Sequence, residues 1–273
     1  MIEIASLLQR NLQLPTDSEE IFLYQIFDGL HKVDITALTS AFFQIYIQEK
    51  SPQYVTSLCK LRNGNLFCAG VYCKELNIAG IAFTLDVNTL QVTPLPYGPK
   101  IYDQGLINHN EFVYAFGGKE QKGDNFFISG LAYRFNLSSS RWERIAKMPQ
   151  PNYQISCIEY ERFIVVAGYE DETIYLYDYI TNSYAPLFLF TKRIPKTLFK
   201  YNSELFLLEG AKLWKSANFA SWELVMEYSY INKYTVTTNV LIKEKIAYFA
   251  INFKSIAMLN FETFELNKTI LVG

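Results

Sequence analysis

The stretch FVYAFGGKEQKGDNFFISGLAYRFNLSSSRW, residues 112–142, decides how the chain reads. It opens on a strand-length apolar run ending in Phe116-Gly117-Gly118 and closes on Phe135, Ser139 and Trp142, at offsets of four and seven. An apolar residue ends one strand, Asn136 starts a turn, and a hydroxyl residue bonds back to the backbone. A large apolar residue then re-enters a strand, where it packs across the hairpin beside the first. Glycine at the end of the upstream strand permits positive φ and close backbone approach.

The same spacing recurs on both sides. Leu85, Thr89 and Val92 repeat it, as do Tyr177, Thr181 and Tyr184, and Leu259, Thr263 and Leu266. Weaker copies fit at Ile35, Thr39 and Phe42 and at Lys215, Phe219 and Trp222. The six copies start at 35, 85, 135, 177, 215 and 259, a period of 38 to 50 residues. Between them lie short runs such as IFLYQIF (21–27), RFIVVAG (162–168), ELFLLEG (204–210) and KIAYFAI (245–251). Turn signals precede several strands, at Asn63-Gly64, His109-Asn110 and Asn202-Ser203. After residue 20 no apolar stripe holds a 3.6-residue period, so the body is expected to be all-β. A period of this length built from strands predicts a radial β repeat.

A strand ending in Gly-Gly, followed by a Tyr-Asp-x-x-Thr-x-x-Trp-like hairpin, resembles the kelch repeat of β-propellers. The third copy matches best. The fourth keeps Tyr177-Asp178 and Thr181 but has Tyr169 in place of the second glycine, and the last two copies have lost the Gly-Gly pair. The resemblance covers about residues 21–272 and implies a six-bladed propeller of four-stranded blades over 19–273. Residues 1–18 form a separate segment, read as a short helix or as a closing strand. The first blade supplies three clear strands, at 21–27, 31–36 and 41–47, which leaves the closure open.

Composition narrows the function. With 25 Lys+Arg against 27 Asp+Glu the chain is close to neutral, unlike a basic nucleic-acid binder. The start, MIEIASLLQRNLQLP, is neither a secretory signal nor a membrane span, so no membrane contact is expected. Four cysteines without a CxxC pair fit a reducing, cytoplasmic setting. Two histidines, His31 and His109, fall in different copies with no metal-spaced partner. No nucleophile elbow, P-loop or GxGxxG is present. No catalytic residue, metal or cofactor is therefore expected.

The resemblance implies instead a protein-binding scaffold or adaptor, as kelch domains often are, in the cytoplasm or on the cytoskeleton. The alternatives are a structural subunit of a large assembly and an enzyme acting on a small molecule in the channel mouth. The expected inter-blade loops are 48–53, 95–102, 147–152, 190–196 and 227–233, and each carries a lysine with aromatics close by. Tyr102, Tyr153, Arg193, Lys196, Lys233 and Tyr234 are the candidate partner-binding residues. Such a solvated basic rim would attract an acidic segment of another protein. The stretch 118–128 reads as a long polar loop tipped by Phe126 and Phe127; exposed, the pair would be a contact patch, and buried, the start of the next strand, which is the preferred reading.

Overall fold

In a computed structural model the chain is a succession of antiparallel sheets. The structure describes residues 20–25, 29–34, 37–43, 57–73, 78–122, 125–189, 194, 196–218, 221–228, 240–252 and 255–270. The segment 1–18, read above as a helix or closing strand, lies outside them. No helix occurs among the described residues, and so none long and apolar enough to cross a membrane.

The first sheet has three strands, β1 (Glu20–Gln25), β2 (Gly29–Asp34) and β3 (Thr39–Phe43). The second runs β4 (Ser57–Lys60), β5 (Leu66–Cys73), β6 (Ile78–Leu85) and β7 (Val92–Leu95). In the third, β8 (Ile101–Tyr102) and β9 (Gly105–His109) both pair with β10 (Phe112–Lys122), followed by β11 (Asn125–Asn136) and β12 (Arg141–Arg144). The fourth is β13 (Ser156–Tyr160), β14 (Phe163–Ala167), β15 (Thr173–Asp178) and β16 (Ser183–Leu189). The fifth is β17 (Lys196–Tyr201), β18 (Glu204–Glu209), β19 (Lys212–Ser216) and β20 (Glu223–Glu227). The last is β21 (Val240–Lys243), β22 (Ile246–Asn252), β23 (Ser255–Asn260) and β24 (Leu266–Ile270).

This is a β-propeller arrangement, with one correction. Among the described residues five sheets carry the strands of a four-stranded blade, not six. The first copy is a three-stranded sheet, because β3 ends at Phe43 and the next described strand, β4, already belongs to the following sheet. Successive inner strands meet: β9 touches β4 and β13, and β13 touches β17. The first sheet meets the last, β1 lying against β21 and β22.

The core lies between sheets rather than within them. Phe67 and Ala82 of the second sheet pack with Leu106, Val113 and Phe135 of the third. Tyr114 and Phe116 of the third meet Ile164, Val166 and Tyr177 of the fourth. Val165 and Ile174 pack with Leu198, Leu205 and Trp222, and Phe199 and Phe206 pack with Phe249 and Phe261. The two faces of each central strand therefore serve different cores. That is why their side chains alternate yet are apolar on both sides.

Four hairpin turns share one construction. The paired residues Leu85 and Val92, Phe135 and Trp142, Tyr177 and Tyr184, and Leu259 and Leu266 face each other as the spacing predicts. Asp86 Oδ1 accepts from Asn88 N and Thr89 N, both at 2.9 Å. Asn136 Oδ1 accepts from Ser138 N and Ser139 N, Asp178 Oδ1 from Ile180 N and Thr181 N, and Asn260 Oδ1 from Glu262 N and Thr263 N. Four places after each of these residues stands a non-glycine with positive φ: Leu90 at 59°, Ser140 and Asn182 at 53°, Phe264 at 54°.

The two weaker copies depart from the expected register. In the first, Asp34 pairs with Thr39, and Leu38 carries the positive φ of 54°. The turn therefore starts at Asp34, two residues earlier than the Ile35–Thr39–Phe42 spacing implied. In the fifth, Lys215 pairs with Glu223 rather than Trp222, so that turn is one residue longer. Trp222 is left out of the ladder and packs instead into the core between the fourth and fifth sheets.

Candidate functional site

Antiparallel order within each sheet puts the inter-sheet connections at the same end of the ring as the β5–β6, β10–β11, β14–β15 and β18–β19 connections. The expected binding residues were placed at this end, and the described ones behave differently from a solvated rim.

Lys196 is the clearest correction. It opens β17, and its side chain is buried rather than solvated, with Nζ donating to the carbonyl oxygens of Gly168 (3.1 Å), Asp171 (3.0 Å) and Ile194 (3.3 Å). Burial pushes the ammonium down from its ordinary value, against the pull of Glu209, Asp171 and Glu172. The ammonium is thus an internal tie between the fourth and fifth sheets, because three carbonyls of neighbouring segments converge where its stem must enter.

Tyr102, in β8, is also buried, and its ring meets Phe126 edge-on with centroids 6.1 Å apart. Tyr153 is half-buried; Lys119 Nζ lies 3.8 Å from its ring centroid and Tyr169 stacks obliquely at 5.3 Å. Burial raises the Tyr153 phenol, with the Glu170 carboxylate adding to it. Lys119 is itself paired with Asp103 at 3.0 Å. Arg193, Lys233 and Tyr234 lie outside the described residues. The structure thus brings Tyr102 and Tyr153 to one end of the ring, Tyr102 beneath the surface and Tyr153 partly exposed upon it.

Large exposed apolar side chains stand instead on the neighbouring hairpin. Instead of looping from Gly118, β10 and β11 run on past it as far as Lys122 and Asn125, pairing Lys119 with Ile128, Glu120 with Phe127 and Gln121 with Phe126. Gly118 makes this possible. At a φ of 110° its backbone passes the Tyr102 carbonyl so closely that a Cβ would collide with it. The extended hairpin leaves Phe126 58%, Phe127 51% and Ile128 40% exposed. The extra strand length lifts these side chains past the packed part of the sheet, which the residue pattern alone does not disclose.

Beside this hairpin opens a cleft of about 550 Å³, lined by Ile128, Gln150, Pro151, Glu170, Asp171, Glu172, Thr173 and Tyr175. Asn152, almost fully buried, fastens its floor: its Oδ1 accepts from Glu170 N at 2.8 Å and its carbonyl from Gly118 N at 2.7 Å. Sequence reading passed over Asn152, although the Pro151-Asn152-Tyr153 string stands at an expected inter-blade loop. Counting lysines and tyrosines gave it no weight. Burial and the Asp171 carboxylate push the Tyr175 phenol up to about 12, so it stays a neutral donor at neutral pH.

Candidates for chemistry are few. Among the described residues no group of three or more His, Cys, Asp or Glu side chains could hold a metal ion. His109 closes β9 far from the cleft, where its Nδ1 meets Glu159, its Nε2 lies 2.8 Å from Asn110 Nδ2, and its ring packs on Tyr179. Cys59 and Cys68 are buried free thiols, which burial pushes up from their ordinary range and so away from reactive thiolate.

No family model matches the chain. A stretch of 80 residues, 28% of this chain, is 33% identical to Kelch-like protein 22 of Xenopus tropicalis, and it spans 12% of that protein's length. This similarity and the ring of antiparallel sheets both support the kelch-type resemblance carried by the turns.

Proposed function

We propose that the protein is a non-catalytic interaction propeller of the cytoplasm. It binds another protein on the end of the ring where the β10–β11 hairpin and the inter-sheet segments open. One observation carries this reading: Phe126 and Ile128 on one face of the extended hairpin, and Phe127 on the other, stand exposed, with Tyr102 bracing Phe126. Large apolar side chains grouped on a rigid element are characteristic of contact surfaces, and aromatic anchors supply much of the energy of such contacts. The similarity to a kelch-like protein supports the same class of role. A scaffold or adaptor needs no more than such a surface on a stable frame.

The test uses the immobilised intact chain, its Phe126→Ser/Phe127→Ser variant, and Lys268→Glu on the exposed outer strand β24 as control. Proteins retained by the parent and by Lys268→Glu, but lost from the double variant at unchanged melting temperature, are the expected result. Retention that ignores the double variant overturns the reading.

A further inference from the structure

The cleft beside the hairpin has a chemistry of its own, opposite in sign to the basic rim expected from the loops. One wall is apolar, with Ile128 and Pro151, and the exposed rings of Phe126 and Phe127 lie next to Ile128 on the hairpin. The other wall is the turn Glu170-Asp171-Glu172 leading into β15. From the geometry we infer that this cleft seats an extended segment of a partner protein carrying Lys or Arg beside an apolar residue. This rests on the interaction-face reading above and names the partner's chemistry.

Charge complementarity selects that occupant. Three carboxylates line the cleft against one buried cation beneath them, Lys196, which attracts Asp171 and Glu172 but leaves the lining net acidic. Lys147 lies against Gly130 and is not part of the lining. A guest cation would face this acidic wall with opposite charge, whereas a phosphate or an acidic peptide would meet like charge.

The acidic turn is also held in place before anything binds. Glu170 N donates to Asn152 Oδ1, Thr173 N donates to Asp171 Oδ1 at 2.9 Å, and Lys196 Nζ grips the Asp171 carbonyl from below. Little ordering cost is left for the complex to meet. The carboxylates do not converge as metal ligands, which favours a cation delivered on a side chain over a bare ion. A cavity of about 550 Å³ suits a few side chains, not a folded domain. The guest is therefore a short segment, its apolar residue against Ile128 and Phe126, which share a face of the hairpin, and its cation towards the turn.

Two fluorescein-labelled probes, GSLKLKLSG and GSLELELSG, test this by anisotropy on the intact chain. The lysine probe should bind at least about tenfold more tightly than the glutamate probe, and should weaken as salt rises. Glu170→Gln/Glu172→Gln should cost the lysine probe about tenfold, while Lys268→Glu leaves it unchanged. Asp171 is kept because its own atoms hold the turn, and a melting curve checks that the double variant folds. Equal binding of the two probes, indifference to Glu170→Gln/Glu172→Gln, or no binding of the lysine probe overturns the inference. Should partner capture still depend on Phe126 and Phe127 when the lysine probe fails, the interaction-face reading stands and the cleft assignment alone falls.

Discussion

The two ends of the ring are built by different rules. At one end a single device is repeated: a side-chain oxygen of Asp86, Asn136, Asp178 or Asn260 accepts two backbone N–H groups, and a residue in the left-handed region follows four places later. At the opposite end the described segments follow no common plan. A hairpin overshoots its sheet, one lysine is drawn inside, and Asn152 ties three segments together. The first end is governed by atoms a few residues apart in the chain. The second is governed by contacts between segments 18 to 34 residues apart.

The largest effect should come from the variable end. Lys196→Glu would place a carboxylate among three carbonyls, close to Glu209, Asp171 and Glu172, and should destabilise the fold by about 3–5 kcal/mol in urea titration. Lys196→Met, which keeps the stem and removes the charge, should cost less. A Lys196→Glu protein as stable as the parent would mean that this end is a solvated rim after all.

Tryptophan removal compares a regular and an irregular turn of the first end through their cores. Trp142 belongs to a regular turn, where it packs on Phe135 and Phe67 and donates from Nε1 to the Pro96 carbonyl at 3.1 Å. Trp222 follows the irregular turn and is buried between the fourth and fifth sheets. Each Trp→Ala change should cost about 3 kcal/mol, read as a lower thermal midpoint. If Trp222→Ala melted with the parent, the core between those sheets would not be formed as described.

The smallest effect separates members of the repeated device. Two N–H donors hold the Asp86 and Asp178 carboxyls below their ordinary 3.8, each backbone bond favouring the ionised form. Because the folded value lies below the unfolded one, the stabilisation is whole above pH 3.8 and is lost as pH falls through the folded value. The Asn136 and Asn260 turns make the same bonds without a titrating group. Asp86→Asn/Asp178→Asn should therefore flatten the acid limb of the stability curve and leave neutral pH nearly unchanged. An acid limb as steep as the parent's would place its origin elsewhere.

The same division explains what the sequence made legible. Register was readable in four copies because the apolar–Asx–Thr/Ser–apolar spacing is itself the hydrogen-bonded unit. It failed at Lys215, where one added residue moves Trp222 off the ladder, and at Ile35, where a Thr at the right offset hid the true start at Asp34. Of the candidate binding residues, Tyr102 is buried and Tyr153 half-buried, a difference in depth that the loop spacing does not disclose. A lysine before a strand looks solvated until the carbonyls of Gly168 and Asp171 are folded over it. Phe126 and Phe127 look like ordinary strand residues, since nothing local marks where β11 outruns its neighbour β12.

The placement of the cores between sheets makes every blade a party wall. Phe67 and Phe135, or Phe199 and Phe249, are neighbours across a boundary, so no sheet can melt without laying bare the rooms on both sides. A row of such walls is only as sound as its last one, and β1 against β21 and β22 gives the final sheet a neighbour in place of an open side. Slow hydrogen exchange should accordingly spread round the ring as one block, instead of fading from one end of the chain to the other.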